Sequence, residues 1–169
     1  MRPFALLGPA VAAVLATAAC ASSSPYAAAP SAQPSPAPSA SPVAVSPAAT
    51  GTEIQVGSSG LGQILVDSKG RTVYLFVADS GATSSCNSAA CVQYWPPVLT
   101  AGSPSAGAGA NPALLGTIQR KDGTAQVTYA GHPLYYFITD KKAGDVTGQG
   151  INGFGGPWYV VSPSGRQIQ

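Results

Sequence analysis

Tyr74-Leu75-Phe76-Val77-Ala78-Asp79 and Tyr135-Tyr136-Phe137-Ile138-Thr139-Asp140 are two copies of one pattern, Tyr-x-Phe-x-x-Asp, set sixty-one residues apart. With Tyr74 laid over Tyr135, Gly62 meets Gly123, Val66 meets Val127, Gly70 meets Gly131, Val73 meets Leu134 and Val77 meets Ile138. Trp95-Pro96-Pro97-Val98 answers Trp158-Tyr159-Val160-Val161, with two extra residues in the second copy. One structural unit is therefore written twice. A stacked solenoid needs three or more units, so two copies predict a single pseudo-symmetric domain over 53–169, with repeat 1 at about 57–100 and repeat 2 at about 114–163.

Each copy opens with a hairpin signal. Gln63–Asp67 and Arg71–Val77 are β-prone runs around Ser68-Lys69-Gly70, and Ala125–Tyr129 and His132–Ile138 flank Ala130-Gly131. Alternation puts Tyr74 and Phe76 on one face and Val73, Leu75 and Val77 on the other. Both faces are apolar, which predicts strands covered on both sides. Leu115–Arg120 and Trp158–Ser162 are further strand candidates, Cys91–Tyr94 fits one helical turn, and Asn87–Ala90 and Gly144–Gly156 read as loops. The class is mainly β.

Ahead of this domain the chain changes character. Residues 1–19 read as an export signal: Arg2 is a minimal positive start, Phe4–Leu15 is apolar but for Gly8 and Pro9, and Ala16-Thr17-Ala18-Ala19 precedes Cys20. The apolar stretch is shorter than the about 20 residues of a membrane span. A cysteine at that point resembles the bacterial lipoprotein signal, in which it is lipidated and becomes the mature N-terminus. The alternative is ordinary cleavage at Ala16-Thr17-Ala18. Residues 20–52 form an uncharged Ala/Ser/Pro tract with Pro25, Pro30, Pro34, Pro36, Pro38, Pro42 and Pro47. Such a tract cannot bury a core and reads as a disordered, extended stalk.

Cysteine arithmetic links the two parts. Cys20, Cys86 and Cys91 make an odd number for an exported protein. Lipidation of Cys20 accounts for one and leaves Cys86 and Cys91 to form a local disulfide. Their spacing is neither a redox Cys-x-x-Cys nor a paired zinc arrangement. The net charge of +2 carries no basic cluster longer than Arg120-Lys121 or Lys141-Lys142, so nucleic acid is excluded as a partner. A single methionine argues against a Met-rich copper carrier. Gly148–Gly156 lacks the Lys-Ser/Thr ending of a phosphate loop. No serine lies in a nucleophile elbow.

Val66-Asp-Ser-Lys-Gly-Arg-Thr-Val-Tyr-Leu-Phe76, Cys86…Cys91…Trp95-Pro-Pro97 and Pro133-Leu-Tyr-Tyr-Phe137…Asp140…Trp158-Tyr159 resemble a family of bacterial envelope lipoproteins known as secreted repeats of unknown function. The resemblance covers about Gly57–Pro163. It implies an exported, usually lipid-anchored protein with two such repeats, and it brings no assigned activity.

The candidate residues follow from the motif. Tyr74, Phe76, Trp95, Tyr135, Phe137 and Trp158 are large enough to build the core of a small β domain. Asp79 and Asp140 sit where the strands end. They would accept N–H bonds in the turn or a Tyr hydroxyl, and a pseudo-twofold would let each serve the opposite repeat's Tyr. The competing reading brings both carboxylates to one metal ion or to acid–base work, with His132 and the cysteine loop as further members of a metal-binding or redox-active site. His132 is read as a solvent-facing turn residue. Tyr136 and Tyr159 are candidates for an exposed platform for glycan or peptide. The sequence thus predicts an exported, lipid-anchored envelope protein without cofactor, a non-enzymatic binding or interaction module. Its expected partners are the membrane, through Cys20, and a cell-wall glycan or another envelope protein. A purely structural surface module is the third reading.

Overall fold

In the computed structural model, which describes residues 51–169, the domain begins with β1 (Glu53–Ser59) and β2 (Gly62–Asp67). After β3 (Tyr74–Phe76) come helix α1 (Ala89–Tyr94), β4 (Ser105–Ala106) and a 3-10 turn at Pro112–Leu114. β5 (Leu115–Gln119), β6 (Ala125–Tyr129), β7 (His132–Pro133), β8 (Asn152–Gly153) and β9 (Gly156–Val160) complete the chain. The signal segment, Cys20 and nearly all of the Pro-rich tract lie outside the described residues. Three three-stranded sheets result, ordered β2-β1-β4, β3-β9-β8 and β5-β6-β7.

The duplication is visible in the backbone. β1–β2 and β5–β6 are equivalent antiparallel hairpins whose registers differ by one residue: Val56 lies opposite Leu65, whereas its counterpart Thr117 lies opposite Val127. Gly62 and Gly123 take φ of 95° and 83°, and Gly70 and Gly131 take 78° and 81°. Those four matched glycines occupy the region that side chains with a Cβ avoid, so both copies turn in the same places.

The predicted hairpins are only partly formed. The second run of each is short: Thr72 makes a single bridge to Val66, and β7 ends at Pro133. The reason is tertiary, because the motif segments leave their hairpins to pair elsewhere. Tyr74 and Tyr135 exchange backbone hydrogen bonds of 2.8 and 2.9 Å. β3 pairs on its other side with β9 from repeat 2, Phe76 opposite Trp158. Reciprocally, the repeat-2 motif is flanked by repeat 1: Tyr136 N–H donates to Pro96 O at 2.8 Å, and Val98 N–H to Leu134 O at 2.9 Å. Each motif strand thus lies between its twin and the tryptophan segment of the other repeat. Neither repeat closes alone, so the two fold as one unit.

Alternation along the motif strands separates two hydrophobic clusters. Tyr74, Phe76, Tyr135 and Phe137 face one with Trp95, Trp158 and both core cysteines, while Val73, Leu75 and Leu134 face the other with Val98, Val127 and Val161. Val77 and Ile138, expected to continue the strands, are largely exposed. β3 stops at Phe76, and the chain turns after Phe76 and Phe137 alike: Asp79 N–H reaches Phe76 O at 3.1 Å, and Asp140 N–H reaches Phe137 O at 3.2 Å.

Candidate functional site

At the centre of the larger cluster, four rings stack in a column. Phe76 lies 3.9 Å from Trp158, Trp158 4.0 Å from Trp95 and Trp95 4.3 Å from Phe137, centroid to centroid. The two repeats alternate along it. Tyr135 meets Trp158 edge-on at 5.1 Å, and Tyr74 meets Trp95 edge-on at 5.3 Å. Offset stacks and edge contacts are the favourable aromatic geometries.

Around the column the two motif carboxylates perform the same task twice. Tyr135 Oη donates to Asp79 Oδ2 at 2.7 Å, and Tyr74 Oη donates to Asp140 Oδ2 at 2.6 Å. Asp79 Oδ1 accepts from the N–H and hydroxyl of Ser85 at 2.8 and 2.6 Å. Asp140 Oδ1 accepts from the N–H and hydroxyl of Thr147 at 3.0 and 2.6 Å. Each Asp therefore ties the loop that follows it to the tyrosine of the opposite repeat. With three bonds accepted, most of each carboxylate's acceptor capacity is occupied. Burial, reinforced by the bond to Asp140, pushes the Tyr74 phenol well above its ordinary range. Burial does the same to Tyr135, with Asp79 adding to it and the bond with Ser84 opposing it.

Cys86 and Cys91 form the expected disulfide, closing the loop that runs into α1. Ser88 caps that helix by accepting the Cys91 N–H at 3.2 Å. The loop is also gripped by a residue that sequence reasoning did not single out. Arg120 is buried, and its Nη1 donates to Ser84 Oγ (2.9 Å) and Gln126 Oε1 (2.6 Å). Its Nη2 donates to Cys86 O at 2.8 Å. Asp122 Oδ2 lies 3.6 Å from the Arg120 Nε, which has no hydrogen-bond partner. Because the disulfide closes a short loop already held by Arg120, replacing both cysteines by serine is expected to cost about 2 kcal/mol in urea unfolding, with the fold retained. Loss of the native circular-dichroism spectrum in the double serine variant would contradict this.

A second constellation lies on the surface. Glu53, Asp67, Lys69, Arg71 and Tyr136 line an open cleft of about 570 Å³, with Pro97 and Leu99 as its apolar wall. Asp67 is buried although charged. Its Oδ1 accepts the N–H groups of Lys69 and Arg71, both at 2.9 Å, which holds the turn. Its Oδ2 accepts Arg71 Nε at 2.8 Å, Arg71 Nη2 at 2.7 Å and Tyr136 Oη at 3.1 Å. The Arg71 guanidinium lies 3.9 Å over the Tyr136 ring. Burial first, and then the Asp67 charge, push the Tyr136 phenol upward.

Each member proposed for the competing site has its own surroundings in the structure. Asp79 and Asp140 serve different loops, and His132 is exposed at the start of β7 beside Arg166 and Gln167. Among the described residues, no group of three or more His, Cys, Asp or Glu side chains is placed to share a metal ion. Tyr136 and Tyr159 do not form one platform: Tyr136 lies under Arg71, whereas Tyr159 sits opposite Leu75 and does not line the cleft.

A family model described as a secreted repeat of unknown function matches the chain twice, over residues 56–99 and 116–162. Each match contains one copy of the motif and one of the stacked tryptophans. No curated protein and no solved structure matches the chain.

Proposed function

The chain belongs to the family of secreted repeats of unknown function, so its place is outside the cytoplasm, and from that premise we propose a non-enzymatic binding module, lipid-anchored through Cys20 and carried on its Pro-rich stalk. The observation that carries the binding role is the division of labour among polar groups. The motif carboxylates Asp79 and Asp140 are engaged in holding the two repeats together, whereas the cleft beside Tyr136 keeps opposite charges at the surface. The anchor rests on a different argument. Cys86 and Cys91 are joined, which leaves Cys20 as the odd cysteine, directly behind an apolar segment and small residues.

Several acyl chains on one cysteine anchor stably, since each buried methylene contributes about 0.8 kcal/mol. The wild type is accordingly expected in the membrane fraction and Cys20→Ser in the soluble one. Equal partitioning of the two would remove the anchor. For the binding role, the purified protein is expected to co-sediment saturably with isolated cell wall or with envelope proteins; a protein that stays in the supernatant with both would leave a purely structural surface module.

A further inference from the structure

We propose that the cleft beside Tyr136 binds short peptides carrying both a free amine and a free carboxylate, the chemistry of the peptides that cross-link cell walls. This rests on the binding role proposed above and names its ligand class.

The duplication supplies an internal control. Asp67 and Arg71 of repeat 1 and Tyr136 of repeat 2 correspond, with the repeats exchanged, to Thr128 and His132 of repeat 2 and Leu75 of repeat 1. The equivalent hairpin of repeat 2 forms with neither a carboxylate nor a guanidinium at these positions. The architecture therefore does not require the Asp–Arg–Tyr set, and only the Oδ1 of Asp67 has a local task in the turn. A buried carboxylate is costly to keep where the fold does not need it.

What the set achieves is a fixed guanidinium. Arg71 is held from below by the Tyr136 ring and from one side by Asp67 Oδ2. Its side chain is nevertheless 51% exposed and lines the cleft, with little rotamer freedom left to lose. That is the arrangement that favours a planar carboxylate. Among the described residues the ion pairs are Arg71–Asp67 and Arg120–Asp122. Lys69 and Glu53 thus line the same cleft without an ionic partner.

Charge complementarity then selects the ligand. A carboxylate meets Arg71 and Lys69, an amine meets Glu53, and Pro97 and Leu99 receive small apolar side chains. A polyanion would be repelled by Glu53 next to the already paired Asp67. A neutral glycan stacks on an uncovered aromatic face, and Arg71 covers that of Tyr136.

The test is calorimetric titration of the full chain in detergent micelles with tetra-alanine, its N-acetyl form, its C-terminal amide and chitotetraose. Saturable binding of free tetra-alanine is expected, weakened about tenfold or more by either cap. Arg71→Gln and Lys69→Gln are expected to weaken the free peptide in the same way and to leave the amide unaffected. Glu53→Gln should erase the preference for the free amine. Thermal melts confirm that each variant is folded, and Lys69→Gln removes no ion pair of the folded chain. No saturable peptide binding, equal affinity in Arg71→Gln, or tighter binding of chitotetraose would overturn the proposal. Retention on whole cell wall without peptide binding would overturn this site while leaving the binding role standing.

Discussion

Trp158→Ala is expected to lower the stability of the domain by about 4–6 kcal/mol. Truncating a buried Trp typically costs about 3–5 kcal/mol in lost transfer energy and residual cavity. Here the indole also stacks on Phe76 at 3.9 Å and Trp95 at 4.0 Å, with Tyr135 against its edge. Such pairs add about 0.5–1.5 kcal/mol each beyond area burial, although they do not sum when one ring serves all three. The loss approaches the about 5–15 kcal/mol total of an ordinary domain. The column alternates between repeats, so Trp95→Ala should cost nearly as much, by the same pseudo-symmetry. Guanidinium unfolding followed by circular dichroism decides the matter. A cost below about 2 kcal/mol for either variant would mean that the column is not what joins the repeats.

That column shows how far the sequence can be read. The doubled motif revealed that two halves share one core and named four of the rings and both carboxylates, and the repeat correspondence around it named the two tryptophans. The offset of sixty-one residues also contained information that pattern reading alone let pass. Leu115–Arg120 is recognisable as a strand by its alternation, and its counterpart Glu53–Ser59 is a strand for the same reason. The signal is fainter in the first copy, because Gly57-Ser58-Ser59 dilutes it and the Ala/Ser/Pro tract adjoins it. A hydroxyl residue six or seven positions after each motif Asp, Ser85 and Thr147, is likewise duplicated. Its role becomes obvious only once the loop is closed.

Other features were beyond reach because they are decided by distant chain segments. Nothing near Thr72 announces that the chain will leave its hairpin after Val73, so that Tyr74 pairs with Tyr135 on one side and Val160 on the other. That exchange follows from which strand edges are available after the two hairpins have formed. The burial of Arg120 has the same origin: its partners Ser84, Cys86 and Gln126 come from a loop and a strand on either side of it in space. The Asp67–Arg71 pair lies within one turn of the sequence. Its meaning, however, depends on Tyr136, sixty-nine residues further on.

Alkali should unfold this domain steeply, and the tyrosines that hold the repeats together are the cause. Tyr74, Tyr135 and Tyr136 all have phenols raised above the ordinary 10.0 in the folded state, through burial first. Two of them donate to the motif carboxylates and the third to Asp67. The sign follows from proton linkage. In the unfolded chain these phenols ionise near pH 10, whereas in the folded chain they stay protonated, so above that pH the folded state binds more protons than the unfolded one. Their contribution is complete below about pH 10 and is lost as the pH rises towards the folded values. Each raised tyrosine contributes a slope of about 1.4 kcal/mol per pH unit. Three together remove about 4 kcal/mol by about pH 11, a large part of the stability of a domain this size. Tyr74→Phe separates this from general deprotonation of lysines. At neutral pH it should cost about 1–2 kcal/mol, because Asp140 Oδ2 loses its donor. Above pH 10 it should lose stability with about two-thirds of the wild-type slope, and Tyr74→Phe with Tyr135→Phe with about one-third. Unfolding free energies measured from about pH 8 to about pH 11 would show these slopes. Identical slopes in all three proteins, or phenolate absorbance of all three tyrosines appearing near pH 10 with the fold intact, would refute the linkage between the cross-repeat tyrosines and alkaline unfolding.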